Sequence, residues 1–211
     1  EVVARDYLAG TTATSIWPMY RDGGRVLYGI RFPEGLRRNE KLRRTILTPT
    51  TKGDAGAHDA PVSAADVVAR GLLTAAQWEE IEALTLALFA RGRELAAARG
   101  LILVDTKYEF GLDAEGRLTL ADEIHTPDSS RYWRADSYAG RFAADQDPET
   151  LDKDFLRRWI AARCDPYAEP IPPVPAETLI EFALRYIALF EPITGEPFAP
   201  PQIGRVGQHP P

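Results

Sequence analysis

Residues 101–133, LILVDTKYEFGLDAEGRLTLADEIHTPDSSRYW, gather the side chains best able to do chemistry. One apolar run, LILV, leads into Asp105, Lys107 and Glu109, and a second, LTLA, leads into Asp122 and Glu123. In an extended chain residues two apart face the same way, so Asp105, Lys107 and Glu109 project together. A lysine between carboxylates stays ionised and can meet a phosphate. A carboxylate beside it can hold Mg²⁺, a hard ion that takes oxygen ligands. Asp122 at the second strand end completes a two-carboxylate clamp of the kind that Mg²⁺ shares with phosphate oxygens. The plainer alternative is a pair of solvated strand ends making surface ion pairs. Two such ends in one short segment favour a Mg-nucleotide site and an ATP-using enzyme.

The acidic pair is followed by Thr126, Asp128, Ser129, Ser130 and Arg131 in TPDSSRYW. Hydroxyls beside an arginine suit a phosphate or carboxylate, which a guanidinium grips bidentately. The same composition would also cap a helix start, itself an anion site. Arg5, in the first apolar run, is a further anion ligand. Lys153 and Arg157 stand four apart in LDKDFLRRW, on one helix face. They either meet an anion or form a solvated basic face with Asp154 in an i,i+4 pairing. The stretch 46–62 holds Thr50, Thr51, Lys52, His58 and Asp59, and reads as a substrate loop or a linker. His58 has no second His or Cys at metal-ligand spacing. His125 is expected to be structural, and Trp17, Trp78, Trp133 and Trp159 to lie in the core.

These residues need a scaffold, and the chain supplies strands first and helices later, an α+β pattern. Residues 1–8 read as a strand, RDGG at 21–24 as a hairpin turn, and 33–45 as loop. Ser63 followed by Asp66 opens a short helix that Gly71 stops, and Thr74 opens the longest helix, ended by Gly100. Trp78, Ile81, Leu84, Leu88 and Leu95 mark its apolar face. Strands at 101–105 and 117–121 follow, then a polar stretch and a short amphipathic helix in LDKDFLRRWIAAR. A Pro-rich link leads to a helix in AETLIEFALRYIALFEPITG and an extended tail.

The 211 residues are 45% hydrophobic and 27% charged, ordinary for a globular protein with a sizeable core. A net charge of −6 argues against nucleic acid or an anionic membrane as partner. The single cysteine, Cys164, excludes an intrachain disulfide and fits a reducing, cytoplasmic setting. No apolar run approaches the roughly 20 residues that span a bilayer. EVVARDYLAG has neither the basic nor the apolar part of a signal peptide, and reads as a strand already under way. GxxxxGK[ST], GxGxxG and GxSxG are absent, so P-loop, Rossmann and α/β-hydrolase chemistry has no support. The sequence fits a monomer and a homodimer alike.

VDTKYEFG, then DEIHTPDSSRYW, then LDKDFLRRW, in this order and spacing, resemble the phosphoribosylaminoimidazole-succinocarboxamide synthase (SAICAR synthetase) family. EVVARDYLAGTTATSIW resembles that family's opening strand, and ILTPTTKGDAGAHD its TPTTK loop. The resemblance runs from residue 1 to about residue 198 and leaves 199–211 as a tail. It implies a two-lobed α+β fold related to kinases and ATP-grasp proteins, and an ATP- and Mg²⁺-dependent ligase of purine biosynthesis. Such a ligase joins L-aspartate to the carboxylate of the ribonucleotide CAIR, giving SAICAR, ADP and phosphate. It phosphorylates that carboxylate, and the aspartate amine then attacks the acyl phosphate.

The resemblance also implies roles. Glu109 and Asp122 would ligate Mg²⁺, Glu1 would lie near the adenine, and Lys107 would sit by the reacting phosphate. Arg5 and Arg131 would bind the CAIR phosphate with Ser129, Ser130 and Thr11, the last standing where the family has serine. Lys52 and Asp59 would meet CAIR and aspartate, Asp59 as base for the amine. Asp128 would lie beside the substrate, with Lys153 and Arg157 as basic contacts. Family members carry roughly 80–100 residues ahead of this point, as a glycine-rich nucleotide flap. The chain is therefore expected to hold the acceptor and metal side of a longer, active enzyme, with the N-terminal lobe largely outside it. The alternatives are a ligase for another carboxylate acceptor, or a binding module that lost catalysis.

Overall fold

A computed structural model of the chain describes residues 1–12, 15–51, 60–166 and 168–200. Lys52, His58 and Asp59 lie outside the described residues, as does most of the tail.

The opening VVARDY forms β1 (Val2–Tyr7), covered on both faces as a near-continuous apolar run requires. Helix α1 (Ile16–Arg21) follows, where the sequence predicts a hairpin turn at 21–24. Asp22 to Gly24 are the exit from this helix, and Gly23 takes φ 103. An Asp-Gly pair serves a helix end as well as a hairpin. The hairpin comes one step later, β2 (Val26–Leu27) against β3 (Ile30–Arg31), turned by Tyr28 and Gly29 with φ 54 and 76.

The sequence predicts loop over 33–45 and little regularity over 46–62, yet Lys41–Thr51 is one strand, β4, paired with β1. Its register jumps from Arg5↔Ile46 to Tyr7↔Lys41. The extra residues bulge and erase the two-residue period by which a strand is read. Its buried centre is also polar, since Thr48 is fully covered and accepts from Arg5 Nε at 2.9 Å. The short β5 (Ala60–Pro61) closes that edge.

Helix α2 (Ala64–Ala69) starts at Ser63, whose hydroxyl accepts from the Asp66 amide. Helix α3 (Ala75–Ala97) starts at a full capping box, Thr74 with Gln77. Each such cap stabilises by about 1 kcal/mol. The buried face of α3 is Trp78, Ile81, Thr85, Phe89, Gly92 and Ala96. Leu84 and Leu95, predicted on that face, are 42% and 46% exposed. The packed stripe turns instead through small residues that let α3 approach the sheet closely.

The remaining elements are β6 (Leu101–Leu112), β7 (Leu118–Ala121), β8 (Ser130–Arg134), α4 (Ala135–Ala143), α5 (Asp154–Ala161) and α6 (Ala176–Thr194). Strand β6 is longer than the predicted 101–105, and α4 occupies the stretch read only as polar. The TPDSS segment is a turn that enters β8 rather than a helix start. The main sheet is antiparallel, in the order β5-β4-β1-β6-β7, with β8 also on β6. The α+β reading therefore holds. The main core lies between this sheet and α3, around Val2, Phe89, Leu103, Tyr108 and Tyr132. Trp78 and Trp133 are buried as predicted, whereas Trp17 and Trp159 are only half-buried.

Candidate functional site

Strand β6 gives one edge to β1 and the other to two strands in turn. Strand β8 pairs with its first half and β7 with Glu109–Leu112. The link 122–129 therefore leaves the sheet at the middle of that edge, where the Lys107 amide donates to the Ser129 carbonyl at 2.9 Å. Asp122 and His125 take φ of 64 and 57 in this link, a conformation that costs a side-chain-bearing residue about 1–2 kcal/mol. His125 holds the link down. Its ring fills the space above Gly92 of α3, where any Cβ would clash with it. Its Nε2 lies 2.5 Å from the Tyr108 hydroxyl, and Tyr132 donates to its carbonyl at 2.8 Å. Burial lowers its pKa and favours the neutral ring, in keeping with a structural role.

Lys107 Nζ lies 2.5 Å from Glu109 Oε1, 2.9 Å from Asp122 Oδ2 and 3.9 Å from Glu1 Oε2. Burial works against its charge, but the hydrogen bonds to Glu109 and Asp122 outweigh it and hold its pKa above that of a free lysine. The bond to Lys107 lowers the Asp122 pKa in turn. Among the described residues no three His, Cys, Asp or Glu side chains converge as a metal site. Glu109 and Asp122 supply two carboxylates around one ammonium. That donor set suits Mg²⁺ when phosphate oxygens or water complete its shell.

Two residues away on β6, Asp105 organises the basic side. Arg5 on β1 and Arg131 on β8 are its partners across the two edges. Both guanidinium groups reach Asp105 Oδ2, at 2.8 and 2.6 Å. Burial disfavours the Arg131 charge, but Asp105, Asp154 and Asp152 outweigh it. A guanidinium has five N–H donors, so each arginine can also take an anion.

The segment entering α5 backs this row. Asp152 is 2% exposed and accepts from the Tyr132 and Asp154 amides at 3.0 and 2.8 Å. Burial pushes its pKa up to about 6, against the pull of Arg131. Asp154 is 1% exposed and accepts from Arg158 Nε at 2.6 Å and Thr11 Oγ1 at 3.0 Å. Burial raises its pKa, but Arg131 and Arg158 outweigh it and leave it below the usual value. Burial, then the charge of Arg157, lowers the Lys153 pKa.

One cleft of about 240 Å³ is lined by Glu1, Arg5, Lys107, Asp128, Ser129, Ser130, Arg131, Lys153 and Arg157, all picked out by sequence. Glu109 and Asp122 join it through Lys107. Thr11 turns its hydroxyl to Asp154, and Thr12 and Ser15 line the cleft, their hydroxyls 2.7 Å apart. Glu123, of the acidic pair after LTLA, lines it too, whereas sequence reading misses Thr12, Ser15 and the buried pair Asp152 and Asp154. The alternation Asp-Lys-Asp at 152–154 is the one signal for that pair. It was readable only as a solvated helix start. A separate apolar cavity of about 270 Å³, walled by Val2, Pro49, Trp78, Ile81 and Phe110, shares Glu1 with the cleft.

The chain is similar to known proteins over nearly all of its length. The family model described as SAICAR synthetase matches residues 1–174. A putative phosphoribosylaminoimidazole-succinocarboxamide synthase 2 of Mesorhizobium japonicum is 56% identical over 200 residues, which are 95% of this chain and 64% of that protein. The phosphoribosylaminoimidazole-succinocarboxamide synthase of Legionella pneumophila is 52% identical over 199 residues, 94% of this chain and 63% of that one. The chain thus spans just under two thirds of the length of these relatives. Among solved structures, the SAICAR synthase of Saccharomyces cerevisiae complexed with SAICAR superposes with a TM-score of 0.74 at 29% identity, over 94% of this chain and 61% of that one. With a cleft that sets a carboxylate-held lysine beside a row of arginines, and with matches over nearly all of its length, the chain belongs to the SAICAR synthetase family.

Proposed function

We propose that the protein carrying this chain is an ATP-dependent ligase. It joins L-aspartate to the carboxylate of CAIR and gives SAICAR, ADP and phosphate. Support comes from relatives bearing that enzyme's name, and from solved relatives described as complexed with SAICAR and with ADP. The observation that carries the reading is the Lys107 ammonium between Glu109 and Asp122, on the same face of β6 as Asp105 with Arg5 and Arg131.

In this reading Glu109 and Asp122 would hold Mg²⁺, which would supply positive charge to the transferring phosphoryl group. Lys107 stabilises the charge on that group from the sheet side. Glu1 lies where the nucleotide base approaches, between the cleft and the apolar cavity. Arg5 and Arg131, with Ser129, Ser130, Thr12 and Ser15, hold the ribose phosphate of CAIR. Thr11 acts on the same site through Asp154. Lys153 and Arg157 take substrate carboxylates, helped by Lys52.

The CAIR carboxylate attacks the γ-phosphorus of ATP, and ADP leaves. The aspartate amine attacks the acyl phosphate carbon, the C–O bond to phosphate breaks, and a base takes the amine proton. Asp59 and Asp128 are the carboxylates offered for that base. Positioning accounts for much of the rate, because holding the reactants aligned removes about 7–11 kcal/mol of barrier. The setting is cytoplasmic. No helix among the described residues is long and apolar enough to cross a membrane.

The test is mass spectrometry of the natural-length protein incubated with Mg²⁺, ATP, CAIR and L-aspartate. The expected product is SAICAR, formed in step with ADP. ADP formed with a different acceptor and no SAICAR would move the protein to another ligase activity.

A further inference from the structure

Two neighbouring residues of α6 tie together the two segments that build the basic side of the cleft. Arg185 Nη1 donates to the Thr150 carbonyl at 2.7 Å, and its guanidinium lies 4.2 Å over the Phe155 ring. Those partners flank Asp152, Lys153 and Asp154. Tyr186 reaches the other segment, where its hydroxyl donates to Asp128 Oδ1 at 2.8 Å. The Tyr186 ring stands edge-on to Phe182 with centroids 4.6 Å apart, and Leu189, nearly a turn further on, is 2% exposed. Burial, then the bond to Asp128, keeps the phenol protonated and donating.

Asp128 itself is exposed, on a turn held through the Thr126 hydroxyl. That hydroxyl accepts from the Asp128 and Ser129 amides at 3.3 and 3.1 Å and donates to Glu123 Oε2 at 2.5 Å. These bonds shape the turn from within and leave the Asp128 carboxylate unset, so the bond to Tyr186 anchors both the turn and that carboxylate to α6. The phenol bond fixes one of its oxygens and thereby gives the other a single direction. A charge-assisted bond of this length selects one rotamer over the rest by about tenfold.

We propose that Tyr186 is a positioning residue that aims the Asp128 carboxylate within the cleft. Helix α6, which lies beyond the 1–174 family match, is then part of the support of the site. This inference rests on the role given to Asp128 in the proposed function.

Tyr186→Phe deletes the hydroxyl and keeps the ring. In the natural-length protein, amide hydrogen exchange at Asp128 and Ser129 is expected to quicken about tenfold. SAICAR turnover falls by a similar factor of about ten, with KM for ATP unchanged within about twofold. In an Asp128→Ala background Tyr186→Phe has no further effect on turnover, because it acts through that carboxylate. Exchange that stays at the parent rate overturns the clamp. Faster exchange with parent turnover reduces it to a structural contact, as does a full loss repeated in the Asp128→Ala background. If the parent makes no SAICAR, the proposed function fails, and the exchange rates alone still decide whether Tyr186 holds the turn.

Discussion

Arg5 and Arg131, on strands either side of β6, donate to the same oxygen of Asp105, at 2.8 and 2.6 Å. The Asp105 side chain is 8% exposed, and those of the arginines are 11% and 13% exposed. One carboxylate therefore screens two nearly buried cations from each other. Asp105→Asn removes the one carboxylate that both guanidinium groups share. Urea unfolding should show a loss of about 3–5 kcal/mol, the usual cost of removing one partner from a buried ion pair. A loss no larger than that of a surface pair would mean that solvent already screens the two arginines.

Glu109→Gln and Asp122→Asn keep the size of each side chain and remove one charge beside Lys107. Each should lower turnover about a hundredfold or more and raise the Mg²⁺ concentration needed for half-maximal rate. The far-ultraviolet circular dichroism should match that of the parent. Unchanged Mg²⁺ dependence in both variants would remove them from the metal site.

Gly92→Ala tests the seat of His125. The added methyl meets the imidazole and Leu103, which is 1% exposed. Overpacking of this kind costs about 1–3 kcal/mol, against about 1 kcal/mol that alanine gains in a helix. Because Leu103 has no room to move, a lowered thermal midpoint is expected. Turnover should fall as well, because His125 pins the link that carries Asp122 and Asp128. A more stable variant with full turnover would show that the ring is free to move aside.

Asp152 gives a pH signature. Its folded pKa, pushed up to about 6, lies above the unfolded value of about 3.9, so the folded protein binds the proton more tightly. The resulting stability is fully present below about pH 4 and is lost as pH rises through 6. Asp152→Asn removes this term; its single amide oxygen can accept from only one of the Tyr132 and Asp154 amides, which bond to different oxygens of Asp152, and that loss does not vary with pH. Relative to the parent, the variant should gain stability between pH 4 and 6 and level off above. The gain is on the order of 1–3 kcal/mol. A difference independent of pH over that range would show that Asp152 is ionised throughout.

The site was legible where it follows one strand. LILV and LTLA announced β6 and β7, and the two-residue period placed Asp105, Lys107 and Glu109 on one face. The register across strands was not legible. Nothing in the linear spacing says that Arg5, Asp105 and Arg131 form one row, because that pairing depends on where β1 and β8 meet β6. Strand β4 was hidden by its bulge against β1 and by the use of Thr48 as a buried residue. Asp154 reads as part of a solvated face, and Asp152 goes unmarked, because burial of a carboxylate depends on distant arginines. The Tyr186 to Asp128 bond joins residues 58 apart in the chain, and no local pattern marks it.

The central claim is that the acceptor carboxylate is phosphorylated before the amine attacks. CAIR labelled with ¹⁸O in that carboxylate, turned over with ATP, Mg²⁺ and L-aspartate, gives the most direct measurement. The bond that breaks in the second step is the carbon–oxygen bond to phosphate. The inorganic phosphate released should therefore carry one labelled oxygen for each SAICAR formed. Unlabelled phosphate alongside SAICAR would contradict the acyl-phosphate route, and with it the placing of Lys107, Glu109 and Asp122 around the transferring group.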